Sequence, residues 1–463
     1  MSGPISAELS RWATETRFAD LPADVVESTK LRVLDMLGLG LAGLETPFGR
    51  SMREAARETH AGGPSRVWGF GDRLSAAGAA LVNGACAQAL EYDDTHNTSI
   101  VHMSAPSVAA ALALAEHRGD VSGKELVRAI AIGNEISCRI GSAAPGQFHK
   151  RGFHPTGLFA VFGATWLAGV LSGASARQMA HAAGIAGSFA SGLLQCWVDG
   201  AQSKFIHPGW AAHGGICADA MARAGATGPG EVFEGRFGLF ASHLQNDQAE
   251  ADLGSITHDL GAHWESRNAS FKPYPAAHVI HPYLDAALRL QREAGFDVSD
   301  IVAIVCPVAP YQVGIVCAPE AEKRRPKTDS HGRVSLQYSL AEALVKRRLG
   351  RDSYATQSLG DPAILALADK VAYEADESFP GPERFKAIVR IRLRDGRELE
   401  TIEEDNRGSI RNPMSLAEIT GKFTENCAGM LTPAQIDRLG ARVMELERVE
   451  NAVAIVDAAV ADG

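Results

Sequence analysis

The stretch Glu91–Ser107, EYDDTHNTSIVHMSAPS, gathers acidic and basic side chains directly in front of an apolar segment, SVAAALALAEHRG. That segment predicts a helix, with Ser104 as a candidate N-cap, Pro106 in the first turn and Gly119 at the end. His102 is therefore expected just before a helix N-terminus, where partial positive charge and free N–H groups attract anions. The same charge disfavours imidazolium, so His102 is a candidate general base.

Three later segments repeat this arrangement of a basic residue ahead of a helix-opening proline. They are FHPTG with His154, SKFIHPGWAAH with Lys204 and His207, and FKPYPAAHVIHP with Lys272 and His281. Several helix ends of this kind predict one convergent site for an anionic ligand. For any single histidine of the set, the alternative is a position at a helix entrance with no function.

Composition and charge are those of an ordinary globular protein of 463 residues, in which 46% are hydrophobic, 22% are charged and the net charge is −10. No Lys/Arg run is long enough for a nucleic-acid stripe, and the N-terminus has no apolar signal core. The most apolar run, Leu158–Leu171, is too short to span a bilayer. The 7 cysteines form no CxxC pair. These features predict a cytoplasmic protein with reduced thiols and no membrane or nucleic-acid partner.

Hydrophobic periodicity divides the chain into two parts. Up to about residue 265, Ala- and Gly-rich patterns predict helices, among them 7–16, 22–41, 74–90, 123–140, 158–171, 175–194, 208–224 and 229–235, with a short strand at 66–70. After about residue 270, β-branched and alternating segments predict strands at 298–308, 385–393 and 397–402, with helices at 335–348 and 362–371. The tail, 414–463, is helical again.

The expected fold class is therefore mainly α, with a large all-helical domain plus a smaller α+β domain. The apolar pattern of the tail suits packing back onto the first domain. We therefore expect a discontinuous helical domain made of residues 1–268 and 406–463, and an α+β domain at 269–405.

The acidic cluster allows more than one chemical interpretation. Asp93, Asp94, His96 and His102 could be the ligands of a metal-dependent hydrolase, although no HExxH, DxDxDG or Cys-rich spacing supports a metal. Alternatively, one aspartate orients a histidine or binds a substrate hydroxyl while the other caps a turn. A solvated acidic turn without function is the third interpretation.

Lys204 and Lys272 lie in loops rich in proline, aromatic residues and histidine, where a solvated surface is not expected. Two ammonium groups beside several helix ends suit a ligand with two or three carboxylates. The segment GFGDRLSAAG follows too weak a strand and lacks the GxGxxG spacing, and GxSxG does not occur, so neither a nucleotide cofactor nor a serine nucleophile is indicated. The residues predict cofactor-free acid–base chemistry on a small polycarboxylate, which includes addition, elimination, epimerisation and decarboxylation. A non-catalytic carboxylate-binding protein is the alternative from another class.

Four motifs, EYDDTH…VHMSAPS, RGFHPTG, DGAQSKFIHPGWAAHGG and FKPYPAAHVIHPYLDAAL, together resemble the MmgE/PrpD family over nearly the whole chain. The resemblance implies a large helical domain built from both chain ends, a smaller α+β lid domain, and a homodimer. It also implies an active site between the two domains and no metal or organic cofactor. Many relatives carry Cys after the KPYP-like motif, where this chain has Ala276.

The resemblance also implies roles for individual residues. His102 and His154 correspond to the acid–base pair, Lys204 and Lys272 to carboxylate-binding residues, and Asp93 and Thr95 to residues that position the substrate or a histidine. Further candidates for substrate binding are Asp94, His207 and Arg324. The leading expectation is a dehydratase-type lyase for a 2-methylcitrate-like acid, followed by an iminodisuccinate-type epimerase and a cis-aconitate-type decarboxylase.

Overall fold

The computed structural model describes residues 3–245 and 250–461. Its larger part is built from helices that bury Ala, Gly and Leu against one another. The long helices of this part run over Ile5–Glu15, Ala23–Leu44, Pro47–Thr59, Ala76–Gln88, Ser104–Arg118, Gly123–Ser142, Pro155–Ser172, Ala176–Ala186 and Ile206–Arg223. Shorter helices cover Gln147–Lys150, Gln195–Asp199 and Leu239–Leu244, and a small hairpin pairs Ala61–Arg66 with Arg73–Leu74.

The helix Pro155–Ser172 lies at the centre of the larger part. It is apolar on every side, and it packs against the helices Gly123–Ser142 and Ile206–Arg223. By length and composition alone it could cross a membrane, but 94% of it is buried inside the protein. A helix that is hydrophobic all round and covered by other helices is a core helix.

Glycine allows the helix Ile206–Arg223 to lie against the helix Ala76–Gln88. A Cβ atom on Gly209 would meet the Leu81 carbonyl oxygen at 2.1 Å, far inside van der Waals contact. The helix Ala76–Gln88 leads directly into the acidic stretch, and Lys204 precedes the other helix. Their close packing therefore brings two distant segments of the chain to one place.

The end of the chain returns to its beginning. The helices Leu416–Cys427 and Pro433–Met444 pack on Ala23–Leu44, and Val453–Ala458 follows them. A single hydrophobic core contains residues from Leu9 to Ala269 together with residues from Phe423 to Ala459.

The α+β part contains a four-stranded sheet with the order Val371–Ala375, Ile301–Val308, Ala387–Leu393 and Glu398–Glu403. The first two strands are parallel and the remaining neighbours are antiparallel. Ala387–Leu393 alternates between buried and exposed residues, so one face of the sheet is covered. The helices of this part are His281–Ala294, Pro310–Gln312, Glu320–Arg324, Asp329–Arg333, Leu336–Lys346, Thr356–Leu359 and Pro362–Ala368.

This part has its own hydrophobic core, which contains residues from Tyr274 to Leu393. The fold is therefore mainly α with a smaller α+β domain, which confirms the predicted fold class. The domain limits 1–268, 406–463 and 269–405 stay a prediction.

Several element boundaries differ from the sequence prediction. The helix predicted at 362–371 ends at Ala368, because the Lys370 N–H bonds to the Leu367 carbonyl and closes a turn. The β-branched Val371 then begins an additional strand. The strand predicted at 66–70 lies earlier, at Ala61–Arg66. It pairs with Arg73–Leu74, which follows after a turn. The segment predicted as a helix at 229–235 consists of turns.

Candidate active site

The acidic stretch is held beside the segment that carries Lys272. The short strand Thr95–His96 pairs antiparallel with Ala269–Ser270. The Tyr92 hydroxyl donates to the Pro273 carbonyl oxygen at 3.0 Å, and both groups are buried. These contacts bring the acidic stretch together with Lys272, which is far away in sequence, at one small space.

Asp94 stabilises the architecture of this space and does not face it. Its carboxylate forms a buried ion pair with Arg32, and it accepts hydrogen bonds from the Ser104 N–H at 3.2 Å and the Ser104 hydroxyl at 2.5 Å. Asp94 thus accepts from the first N–H of the helix Ser104–Arg118; the predicted N-cap Ser104 is the first helical residue, and Met103 occupies the N-cap position. The substrate-binding role predicted for Asp94 has no support in this geometry.

His96 also points away from the other acidic residues. Its Nδ1 lies 2.7 Å from the Ser99 hydroxyl and its Nε2 lies 3.1 Å from the Glu265 carboxylate. The proposed ligand set of Asp93, Asp94, His96 and His102 therefore does not converge. Within residues 3–245 and 250–461, no group of three His, Cys, Asp or Glu side chains is arranged to hold a metal ion.

His102 and Asp93 form a buried pair. Asp93 Oδ2 lies 3.3 Å from His102 Nδ1, and the same nitrogen lies 2.9 Å from the Asp94 carbonyl oxygen. A carbonyl oxygen only accepts, so Nδ1 carries a proton and Nε2 is left to exchange a proton with a ligand. Burial alone would raise the pKa of Asp93, but His102, Lys272 and Lys204 outweigh burial and lower this pKa to about 2. The Asp93 carboxylate therefore stabilises positive charge on His102.

Glu91 binds both lysines of the site. Its carboxylate forms a short ion pair with Lys204 and lies 3.7 Å from the Lys272 ammonium, which also donates to the Glu91 carbonyl oxygen at 3.2 Å. All three side chains are buried. Burial alone would raise the pKa of Glu91, but the two lysines hold it below its usual value. Burial also lowers the pKa of Lys272, although Glu91 and Asp93 oppose this effect.

A group of neutral histidines lies beside and behind His102. The ring centroids of His102 and His154 are 5.6 Å apart, and His154 Nδ1 lies 2.9 Å from His207 Nδ1. Burial, followed by nearby positive charge, lowers the pKa of His154 well below its usual value. The same causes lower the pKa of His149 and of His207 to about 4. These three rings are therefore uncharged near pH 7.

The space enclosed by these groups, here called the chamber, has a volume of about 90 Å³. Its walls on the side of the helical part are Glu91, Thr95, Ile100, His102, His149, Trp197, Lys204 and Lys272. The α+β part closes the chamber with Ala277, His278, Val279, Tyr311, Ile315, Val334, Pro382 and Phe385. Charged and polar groups thus face an opposite wall that is mainly apolar.

His278 is the main polar group on that opposite wall. Its Nε2 accepts from the Asn406 side-chain amide at 2.9 Å, so its Nδ1 carries the ring proton. That Nδ1 is buried and has no hydrogen-bond partner among the described residues. Burial lowers the pKa of His278 well below its usual value. His278 therefore offers a neutral N–H donor to a ligand in the chamber.

Arg324, which was predicted to bind substrate, lies outside the chamber. Its guanidinium pairs with Glu320 and donates to the Val371 carbonyl oxygen at 3.2 Å. Its neighbour Lys323 points to the opposite side of the short helix and donates to the carbonyl oxygens of Ile315 and Val334, each at 2.7 Å. Lys323 thereby fixes two wall residues of the chamber.

The structure therefore assembles most of the predicted residues at one place. Thr95, His102, Lys204 and Lys272 line the chamber, while Asp93, His154 and His207 stand directly behind it.

Sequence reasoning missed Glu91, His278 and Tyr311. Glu91 had no visible partner because Lys204 is 113 residues away. The predicted pattern drew attention to His281, whose Nε2 is bound to the Ala276 carbonyl oxygen at 3.0 Å in the core.

The backbone is strained at two chamber residues. Glu91 has φ 52° and Ile100 has φ 57°, both in the left-handed region. A β-branched residue in this conformation is an outlier that persists only where its surroundings fix it. Both strained residues belong to the acidic stretch, and both side chains reach the chamber.

Two models of one protein family together match most of the chain. Residues 7–252 match the MmgE/PrpD N-terminal domain and residues 274–446 match the MmgE/PrpD C-terminal domain. The chain belongs to the MmgE/PrpD family.

Several characterised relatives are similar along nearly their whole length. The chain is 28% identical to the cis-aconitate decarboxylase-like protein oryM of Aspergillus oryzae, covering 96% of this chain and 95% of the relative. It is 26% identical to the cis-aconitate decarboxylase of Aspergillus terreus, covering 98% and 95%. It is also 26% identical to the human cis-aconitate decarboxylase, covering 92% and 88%.

Proposed function

We propose that this protein is a lyase that works by acid–base chemistry without a cofactor and decarboxylates a cis-aconitate-type tricarboxylate. The observation that carries the proposal is the pair of His102 and Asp93 facing a chamber with two buried lysines. The names of the relatives favour the same reaction over the dehydration expected from sequence.

Lys204 and Lys272 supply the charge that a carboxylate ligand needs. Both ammonium groups share one carboxylate, that of Glu91. When His102 is protonated, Asp93 balances its charge, and one positive charge is left for a substrate carboxylate to balance. Charge-assisted hydrogen bonds from lysine to carboxylate are stronger than neutral ones. The His278 N–H, on the opposite wall, is suited to a second carboxylate.

The reaction requires one proton donor. The C–C bond to the leaving carboxylate breaks, and its electron pair forms a new double bond to the central carbon as CO₂ departs. The electron pair of the original double bond moves to the outer carbon, which is the carbon at the end of that bond away from the central carbon. This outer carbon takes the proton from His102 Nε2. Asp93 stabilises the imidazolium before transfer, and His154 supports the His102 ring from behind. Solvent then returns the proton.

The apolar wall favours loss of CO₂. Ile315, Val334 and Phe385 cannot solvate a carboxylate, whereas they tolerate neutral CO₂. An environment that disfavours the charged ground state and accepts the uncharged product lowers the barrier to decarboxylation.

Dehydration of a hydroxy tricarboxylate is the second candidate. It needs a base for a C–H proton and a donor for the departing hydroxyl group. The His278 N–H opposite His102 favours this candidate, but a neutral imidazole donates a hydrogen bond more readily than a proton. Decarboxylation needs only His102 and therefore fits better.

We also propose a cytoplasmic homodimer. Large apolar side chains remain exposed on this single chain, including Phe237 at 82% and Leu193 at 64%, and such side chains are covered in many oligomers. Light scattering of the purified protein tests this; a monomer at micromolar concentration would reject it.

The reaction is tested with chelator-treated protein in D₂O and a panel of cis-aconitate, citrate, 2-methylcitrate and iminodisuccinate. NMR follows CO₂ loss, water loss and deuterium entry together. We expect cis-aconitate-type acids to lose CO₂ and to gain one deuterium at the outer carbon. Water loss without CO₂ loss would assign the dehydratase reaction, and inversion without either would assign epimerisation. No change in any acid would reject acid–base chemistry on these acids.

A further inference from the structure

The chamber residue His278 is in contact with a small network of buried polar side chains that the reaction described above does not use. Asn97, Ser270 and Asn406 meet on the Nε2 side of its imidazole ring, and all three side chains are buried. They come from the acidic stretch, from the short strand Ala269–Ser270 and from the segment after the last strand of the sheet. Their meeting point therefore joins the acidic stretch to the opposite wall of the chamber.

The three side chains form a closed set of hydrogen bonds, here called the amide circuit. The Ser270 hydroxyl donates to the Asn97 side-chain oxygen at 3.1 Å. The Asn97 amide donates to the Asn406 side-chain oxygen at 3.5 Å, and the Asn406 amide donates to the Ser270 hydroxyl oxygen at 3.4 Å. Each group both donates and accepts, so the circuit runs in one direction. The Asn406 amide also donates to His278 Nε2 at 2.9 Å, which uses its second N–H.

The direction of the amide circuit decides which nitrogen of His278 carries the proton. With the Asn406 amide as donor, Nε2 accepts and the proton lies on Nδ1. In the opposite direction the Asn406 oxygen would face Nε2, so the proton would lie there and Nδ1 would present a lone pair. Nδ1 is buried and has no hydrogen-bond partner in residues 3–245 and 250–461. Burial lowers the pKa of His278 well below its usual value, so the neutral ring has one N–H to place.

The backbone holds Asn406 in place independently of its side chain. The Phe271 N–H donates to the Gly408 carbonyl oxygen at 3.0 Å, and the Gly408 N–H donates to the Asn412 carbonyl oxygen at 2.7 Å. Gly408 has φ 94°, and a Cβ atom there would lie 2.0 Å from the Phe271 carbonyl oxygen. This close approach of two segments brings Asn406 beside Ser270. A substitution at Asn406 therefore changes the amide circuit while these backbone contacts remain.

We propose that Asn406 is a positioning residue, which holds His278 in the tautomer that turns its Nδ1–H to the substrate. The amide circuit fixes the direction of the Asn406 amide, and this amide fixes the tautomer. An N–H donor strengthens the binding of a carboxylate, whereas a nitrogen lone pair repels it. The proposal rests on the proposed function in one respect: the group that accepts from His278 is a carboxylate of the ligand.

The tautomer is measured directly in the full chain, without turnover. Correlation spectra of protein with ¹⁵N-labelled histidine, recorded near pH 7, distinguish a protonated, pyrrole-type nitrogen from an unprotonated, pyridine-type nitrogen. The signals that are lost in His278→Gln assign this residue. We expect a pyrrole-type Nδ1 and a pyridine-type Nε2 in the wild-type protein. The opposite pattern would show that the amide circuit runs the other way and would overturn the proposal.

Two variants of Asn406 test its role. Asn406→Leu keeps a side chain of similar size but removes the donor, so part of the His278 population should move its proton to Nε2. Asn406→Asp has nearly the shape of asparagine, and its carboxylate only accepts, so it should move the proton to Nε2 completely. Isothermal titration calorimetry then uses tricarballylate, a tricarboxylate without the reacting double bond. We expect Asn406→Leu to bind it about 10-fold more weakly, because hydrogen bonds to charged groups are the strong ones.

Asn83→Leu is the matched control for the loss of a buried amide. The Asn83 side chain donates to the Arg66 carbonyl oxygen at 3.0 Å and accepts from the Trp68 N–H at 3.1 Å, and it does not line the chamber. Like Asn406→Leu, this variant should lose stability in urea unfolding. Unlike Asn406→Leu, it should keep the wild-type His278 signals and the wild-type affinity.

A purely structural role of Asn406 would make the two leucine variants alike in spectrum and affinity, and that result would overturn the proposal. A changed tautomer with unchanged affinity would overturn it as well. If Asn406→Leu does not fold, the spectra of the wild-type protein and of Asn406→Asp decide. Failure of the wild-type protein to bind tricarballylate would reject the polycarboxylate ligand of the proposed function, whereas the spectra would still decide the tautomer.

Discussion

At the scale of single residues, His102 is the group on which the proposed reaction depends. His102→Gln keeps a side chain of similar size and a hydrogen-bond donor, but it carries no exchangeable proton of suitable acidity. We expect kcat to fall by about 100-fold or more, since a positioned acid or base contributes about 10²–10⁴. Initial rates of CO₂ release, with circular dichroism as a folding check, measure this. His258→Gln is the control, because its side chain is 76% exposed; equal rates for both variants would contradict the assignment.

Glu91 is the residue whose removal should most disturb the charge balance of the chamber. Glu91→Gln leaves Lys204 and Lys272 buried without their shared counter-ion. Breaking a buried pair in this way costs about 3–5 kcal/mol, which urea unfolding would detect. Glu54→Gln is the control: Glu54 is 79% exposed beside Arg57, so its loss should cost less than about 0.5 kcal/mol.

A double variant separates charge from packing. Adding Lys204→Met to Glu91→Gln removes one of the uncompensated ammonium groups, so stability should recover in part. A further loss of stability would mean that the contribution of Glu91 is steric and not electrostatic.

These residues also mark what a sequence can reveal. The motif spacing identified His102, Lys204 and Lys272, because each stands before a proline; the first two prolines lie in the first turn of a helix, whereas the proline after Lys272 lies in an irregular segment. It did not identify Glu91 or His278, whose partners are distant in sequence and become neighbours only through packing. Asp94 looked equivalent to Asp93, yet Arg32 binds one and His102 binds the other. Only three-dimensional contacts separate two adjacent carboxylates into a structural and a catalytic candidate.

At the scale of elements, the site depends on how closely the helix Ile206–Arg223 approaches Ala76–Gln88. Gly209→Ala inserts a Cβ atom 2.1 Å from the Leu81 carbonyl oxygen, so the helices must separate. We expect a loss of about 1–3 kcal/mol in unfolding free energy and a rise in KM, because Lys204 moves with its helix. Chemical denaturation and steady-state kinetics measure the two effects.

Gly421→Ala is the matched control for this glycine substitution. Gly421 lies inside the helix Leu416–Cys427, and a Cβ atom there meets nothing within 4 Å. Alanine should therefore stabilise the protein by about 0.5–1 kcal/mol. If both variants changed stability in the same direction, the close approach of the two helices would not be the cause.

Element boundaries were predictable where local signals were strong. The helix around 158–171 and the strand around 385–393 follow directly from their apolar patterns, and Gly119 ends its helix in the left-handed region. The strand Val371–Ala375 was not predictable, because its parallel partner Ile301–Val308 is supplied by tertiary structure. Short edge strands gain their stability from pairing and not from propensity.

At the scale of the whole molecule, buried neutral histidines make stability depend on pH. Burial lowers the pKa of His154, His278 and His281 well below the ordinary value of 6.5, and burial lowers that of His149 and His207 to about 4. Each of these groups binds a proton more readily after unfolding. Above about pH 6.5 these histidines are neutral in the folded and the unfolded protein, so they do not lower the free energy of unfolding. As the pH falls towards 4, the unfolded protein takes up protons that the folded protein does not, and the free energy of unfolding falls.

Buried carboxyl groups act in the opposite direction. Burial raises the pKa of Asp35 to about 6 and that of Glu342 to about 7, and it raises the pKa of Glu116, Asp219, Asp285 and Glu403 as well. Because the folded protein binds protons at these carboxyl groups, they offset part of the loss due to the histidines. The net uptake on unfolding is therefore positive between about pH 6.5 and 4.5, and each net proton lowers the unfolding free energy by about 1.4 kcal/mol per pH unit.

We therefore expect the melting temperature to fall steadily from pH 7 to pH 4.5, as calorimetry at constant ionic strength would show. His207→Gln removes one of the histidines that takes up a proton on unfolding, so the variant should show a shallower fall by about one proton. His117→Gln is the control, because His117 is exposed at the end of its helix and should leave the slope unchanged. A melting temperature that is constant or rises on acidification would show that the site histidines are already charged in the folded protein, which would remove the basis for treating the rings behind His102 as neutral.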